Sequence, residues 1–176
     1  MYLRTLARKL GFASPAQQLA VAKGDEGEAK FMPAIPEIFK RLLHAGRWVH
    51  PGDDVLRQIV PCIDDPLDFL DSIESILRES SGHLADIPHS SKLFKEVRGS
   101  RMAAPVELPF RDVEKSIFIA VNREIGADVA IALDFRNGAA DPRVIASAWD
   151  EKSKEVNWIE VAPTFSEFLK RIGIAG

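Results

Sequence analysis

Residues 116–136 read SIFIAVNREIGADVAIALDFR, and the two apolar runs inside them, Ile117–Val121 and Val129–Phe135, decide the fold. At five and seven residues they have the length of strands rather than of helices. The connector Asn122–Asp128 contains Gly126 and is short enough for the runs to lie side by side as a hairpin. Neither run alternates apolar with polar residues, so both faces of each strand are expected to be covered. The hairpin is therefore predicted to form the middle of a sheet.

Downstream, Arg136–Pro142 (RNGAADP) is a turn-forming loop, Arg143–Trp149 a third strand candidate and Asn157–Val161 a fourth. Pro163–Ile172 reads as a closing helix. Thr164 is its N-cap and Glu167, three residues on, completes a capping box. Phe165, Phe168, Leu169 and Ile172 make its apolar face, and Gly173 stops it.

Upstream, Val106–Phe110 is a further strand candidate, confined by Pro109 to an edge or an end. Gly82–Ser91 and Gly99–Pro105 read as loops on either side of a short helix or strand, Lys92–Val97. Asp65–Glu79 is predicted as an amphipathic helix. Asp64 or Asp65 caps it, Pro66 takes the first helical position, and Phe69, Leu70, Ile73, Ile76 and Leu77 form the apolar stripe. Val55–Ile63 fits a short helix or a strand and is broken by Pro61. Met32–Gly46 is a helix with Pro36 near its start, Gly46 as its stop and a stripe of Ile35, Ile38, Phe39, Leu42 and Leu43. Trp48, in the loop that follows, is large enough to anchor that loop on the core. Residues 1–30 read as an extension of two short helices and a polar link, Lys23–Lys30. The basic first helix could touch a membrane surface, but packing on its own domain is the favoured reading.

A chain of 176 residues is one domain, or one domain with an extension. Hydrophobic and charged contents of 46% and 28% are ordinary for a globular α+β domain, so composition singles out no special class. A net charge of −3 argues against general nucleic-acid binding, which leaves a basic footprint. A single cysteine, Cys62, excludes an internal disulfide and fits a reducing compartment. The N-terminus lacks the long apolar core of a signal peptide, and no apolar run is long enough to span a membrane. The expected location is the cytoplasm.

The chemistry-bearing residues point away from an enzyme. His44, His50, His83 and His89 have no zinc-ligand spacing, and Cys62 is the only thiol. Acids follow Cys62 in IVPCIDDP; they raise a thiol pKa and favour a structural cysteine over a nucleophile. Asp134 and Asp141, beside Arg136 and Arg143, could act as an acid–base pair or hold a metal. Turn hydrogen bonding is the preferred role. There is no phosphate-binding glycine loop and no nucleophile elbow, and no cofactor is expected. The most suggestive surface is the acidic helix, where Asp65, Asp68 and Asp71 would share a face. Three of its acids have a structural explanation in the helix dipole. Together Asp65, Asp68 and Asp71 would serve solubility or steer a basic partner to this face.

The C-terminal half resembles the SUKH superfamily. The resemblance rests on VAIALDFRNG (Val129–Gly138), DPRVIAS (Asp141–Ser147) and WIEVAPTFSEFL (Trp158–Leu169), the last with the paired Phe residues of the family's helix. FLDSIESILRE (Phe69–Glu79) and IPEIFKRLLHAG (Ile35–Gly46) resemble it more loosely. The likeness covers about residues 31–173 and leaves residues 1–30 outside. It implies an α+β domain with a mostly antiparallel central sheet of about four to six strands, helices mainly on one side and a closing C-terminal helix. The family includes a fungal regulator of cell-wall assembly and many bacterial immunity proteins. It implies no catalytic residues. It implies protein binding, often inhibition of a nuclease or deaminase toxin, or else a regulatory or scaffolding module on housekeeping proteins. Binding is expected on the acidic helix or on the sheet's exposed side.

Overall fold

The computed structural model describes residues 33–84, 107–124, 129–138 and 140–174. In chain order these form α1 (Glu37–His44), α2 (Asp53–Ile59), β1 (Leu67–Phe69), α3 (Ile73–Leu84), β2 (Ser116–Asn122), β3 (Ala130–Asp134), β4 (Arg143–Asp150), β5 (Glu155–Ala162) and α4 (Phe165–Arg171). The five strands make one antiparallel sheet in the order β1-β2-β3-β4-β5. This is the predicted α+β architecture, with β2 and β3 paired as the expected hairpin. β3 is the central strand, and all five of its residues are buried. That is why its sequence does not alternate.

The pairing register sorts the two faces. Ala120 faces Ile131, Ile131 faces Ala146, and Leu133 lies between Ile117 and Val144. Leu67 and Phe69 of β1 extend this face. An aromatic cluster covers it. Trp48 stacks on Phe69 at 4.4 Å between ring centres and meets Phe39 edge-on at 4.9 Å, and Phe39 meets Phe165 at 5.2 Å. These contacts tie α1, the loop after it and α4 to the sheet, and each such pair adds about 0.5–1.5 kcal/mol beyond simple burial. Trp48 is thus the anchor its size predicted, at 4% exposure. The second face carries Phe118, Ala132, Ile145 and Trp158. Ala132 is small, and the rings of Phe118 and Trp158 come within 6.1 Å of each other. The fully buried Arg111 lies over both, 4.3 Å from the Phe118 ring centre and 5.4 Å from that of Trp158.

The helix ends follow local chemistry. Gly46 and Gly173, read as stops, adopt φ of +62° and +78°, a region that costs other residues about 1–2 kcal/mol. Thr164 Oγ1 accepts the Glu167 N–H at 3.1 Å, as the capping box predicted. The ambiguous segment around Val55 is helical, as α2.

Several expectations fail. Residues 65–79 are not one helix: Leu67–Phe69 is strand β1, and the helix begins only at Ile73. Arg123 N–H donates to the Pro66 carbonyl at 2.9 Å, and Leu70 N–H donates to the Ile119 carbonyl at 3.0 Å. These bonds hold the segment extended along β2. The true start is marked by serines. Ser72 Oγ accepts the Ser75 N–H at 3.1 Å, and Ser75 Oγ accepts the Ser72 N–H at 3.2 Å, a reciprocal cap. The helix then runs through Gly82 to Leu84, where a loop was expected. Buried Ser80 accepts the Phe118 N–H at 3.0 Å on the β2 flank.

The described part of the Val106–Phe110 candidate, residues 107–110, is also not a strand. Residues 108–110 form a turn closed by Phe110 N–H on the Glu107 carbonyl, and the Pro109 carbonyl accepts the Trp158 N–H at 2.6 Å. Proline has no N–H to offer a ladder, so the segment caps the β5 edge without joining it. Residues 1–30, Lys92–Val97 and Gly99–Pro105 lie outside the described residues.

Candidate functional site

The acids singled out from the sequence lie on three different pieces of chain. Asp65 is exposed in the loop between α2 and β1, Asp68 is exposed on β1, and Asp71 is exposed in the link to α3. They therefore do not share a helix face. Asp65 and Asp71 instead flank β1 on either side of Asp68, and Asp54, Asp64 and Glu74 are exposed as well. Asp65 lines a depression with Asp53, Leu56, Arg57 and Ile63 that has room for about one water molecule.

Two arginines hold this edge together. Arg123, just past β2, places Nε 2.8 Å from Asp68 Oδ1 and Nη1 3.7 Å from Asp53 Oδ2, and its Nη2 donates to the Leu67 carbonyl at 2.9 Å. The hydrogen bond to Asp68 raises the Arg123 pKa above its ordinary value. Arg57 lies 3.3 Å from Asp54 and reaches the Asp64 carbonyl at 3.4 Å. Asp68 is thus already neutralised by a neighbour. No ion pair engages Asp65 or Asp71 among the described residues, which leaves them as the free charges.

His50 packs edge-on against Phe69, 5.0 Å between ring centres. Its Nδ1 accepts the Gly52 N–H at 3.0 Å, and its Nε2 lies 3.5 Å from Asp53 Oδ1. Sequence reasoning placed neither His50, Asp53 nor Arg123 here, because the hairpin connector and the RWVHPGDD loop each looked self-contained. The readable signal was alternation: Leu67, Asp68, Phe69 is a period-two pattern beside Pro66.

A second charge cluster is buried. Asp134, fully buried, receives Arg136 Nη2 at 2.8 Å and Arg143 Nε at 2.7 Å on Oδ2. Arg136 N–H donates to Asp134 Oδ1 at 3.1 Å, the turn bond expected of that aspartate, and Arg136 Nη1 donates to the Phe110 carbonyl at 2.6 Å. Among the described residues, Asp141 bonds outside its own turn. It accepts the Ser166 N–H at 3.0 Å and ties the loop to α4. The Asp134 carboxylate is committed on both oxygens, which suits a structural lock. Cys62 is half-buried, and burial pushes its thiol pKa up, away from a nucleophile.

The sheet's second face is not the open surface expected for binding. Phe118, Ile145 and Trp158 are buried there, with Arg111 over the two rings. It opens toward the β4–β5 turn at Trp149, 55% exposed, whose Nε1 donates to Glu151 Oε1 at 3.0 Å. No helix among the described residues is long and apolar enough to cross a membrane. No family model, curated protein or solved structure matches the chain.

Proposed function

We propose that this chain is a non-enzymatic protein-binding domain, an immunity protein of the SUKH type that binds and occludes a bacterial toxin, a nuclease or deaminase, in the cytoplasm. The observation that carries this reading is the acidic edge. Asp65, Asp68 and Asp71 lie on or beside β1 and are exposed, as are Asp54, Asp64 and Glu74 nearby in the chain, with Arg57 and Arg123 as clamping cations. An enzyme that acts on nucleic acid presents a basic groove, and an acidic rim is steered to such a groove and fills it. The partner-facing acids are Asp65 and Asp71, with Asp68 held by Arg123. The sequence likeness in VAIALDFRNG and WIEVAPTFSEFL adds the family reading.

Co-purification from source cells followed by mass spectrometry identifies the partner. The Asp65→Lys/Asp71→Lys double variant then tests the site. A toxin domain that binds the native chain and binds the double variant at least tenfold more weakly supports the reading. Equal affinity, with the fold intact by circular dichroism, removes the acidic edge from the interface. Recovery of a cell-wall or signalling protein in place of a toxin would favour a regulatory docking module.

A further inference from the structure

The turn from His50 to Asp53 carries a feature that partner binding does not require. Nδ1 of His50 accepts the Gly52 N–H at 3.0 Å, so that nitrogen carries no proton and the ring is the neutral Nε2–H form. Gly52, at φ +102°, is the residue that caps α2, its carbonyl accepting the Leu56 N–H at 3.0 Å. Asp53 stands between the neutral His50 ring, with Nε2 3.5 Å from Oδ1, and the Arg123 cation, with Nη1 3.7 Å from Oδ2. Arg123 in turn holds Asp68 of β1. Among the described residues these are the charged groups paired with the ring or with Asp53, from α2, from the end of β2 and, through Arg123, from β1. Phe69 and Gly52 add none.

We propose that this turn is a proton-responsive hinge that trades Asp53 between Arg123 and His50. Protonation of the His50 ring is the event to which the turn would answer. A proton on Nδ1 turns the acceptor of the Gly52 N–H into a second donor, so that bond is lost and the turn releases. The imidazolium also attracts Asp53 and draws it from Arg123. Arg123 then holds Asp68 and the Leu67 carbonyl alone. The α2 cap and the β1 clamp respond to the same proton. This inference is independent of what the acidic edge binds.

The test is a nuclear magnetic resonance titration of the full chain from pH 8 to pH 5, following the His50 ring nitrogens, the Gly52 amide and the Arg123 Nε. The expected result is an Nε2–H ring at pH 8 and one shared single-proton curve for all three groups. Gly52 amide exchange, relative to its intrinsic rate at each pH, should be about fivefold faster at the acid end, the equivalent of one ordinary hydrogen bond. In His50→Gln, which keeps an acceptor but cannot titrate, the Gly52 and Arg123 curves should flatten. An Nδ1–H ring at pH 8, a flat Gly52 amide in the native chain, or an unchanged curve in His50→Gln overturns the proposal. If His50→Gln does not fold, the native tautomer and the coincidence of the three curves still decide it.

Discussion

Arg143 and Asp134 are register partners across β4 and β3, and Arg143 Nε lies 2.7 Å from Asp134 Oδ2. The same carboxylate holds Arg136, whose side chain is 4% exposed. Three charges therefore meet at the end of the central strand. Asp134→Asn leaves the buried Arg136 charge without its carboxylate. We expect a loss of about 3–5 kcal/mol, the usual result of removing one partner from a buried pair. Urea unfolding measures it. A loss under about 1 kcal/mol would mean that the cluster is open to solvent.

The clamp at the β1 edge should behave differently, because Arg123 and Asp68 are about half-exposed. Asp68→Asn should cost only about 0.2–1 kcal/mol and the cost should fade as salt is raised. Arg123→Ala should cost about 1 kcal/mol more, because it also strips the Leu67 carbonyl of its donor. Chemical denaturation of both variants at low and high salt separates the terms. A larger loss for Asp68→Asn than for Arg123→Ala would contradict the clamp.

Much of this architecture was legible because it rests on local patterns. The unbroken apolar runs around Ile119 and Leu133 announce a strand pair covered on both faces. Thr164 with Glu167, and Gly173 beyond, bracket α4. The misreading fell where two local signals competed. Asp65-Pro66 has the chemistry of a helix start, and Leu70, Ile73 and Ile76 continue it at helical spacing. Ser72 and Ser75 carry the weaker signature, with serine where a capping box usually has glutamate. Pairing with β2 decided between them, and that pairing spans more than fifty residues of chain, as from Leu67 to Asn122. The same distance hid the candidate site. Arg123 reads as a turn residue until β1 is laid beside β2, and only then does it meet Asp68 and Asp53.

The position of the α3 cap can be tested directly. Ser72→Ala should cost about 1 kcal/mol, as should Thr164→Ala at α4, each removing an oxygen that accepts an N–H three residues on. Asp65→Ala should leave stability within about 0.5 kcal/mol of the native chain, since it is an exposed loop residue. A large loss at Asp65 with none at Ser72 would restore a helix start at residue 65.

Acid should loosen the β4–β5 turn before it reaches the sheet. Asp150 Oδ1 accepts the Lys152 N–H at 2.7 Å and the Ser153 N–H at 3.3 Å. These bonds favour the charged carboxylate and lower its pKa from the ordinary 3.8. A carboxyl whose folded value is depressed contributes its stabilisation above the unfolded value and loses it as pH falls through the folded one. The turn should therefore hold unchanged from neutral pH down to the ordinary carboxylate range and open only below it. The Lys152 and Ser153 amides report this: their resonances should move together at a pH below 3.8, and Asp150→Asn should abolish the shared movement. Trp149 precedes Asp150 and is the exposed aromatic on this hairpin, so its fluorescence should follow the same transition. A transition centred above the ordinary value would mean that burial, rather than the two amides, governs this carboxyl.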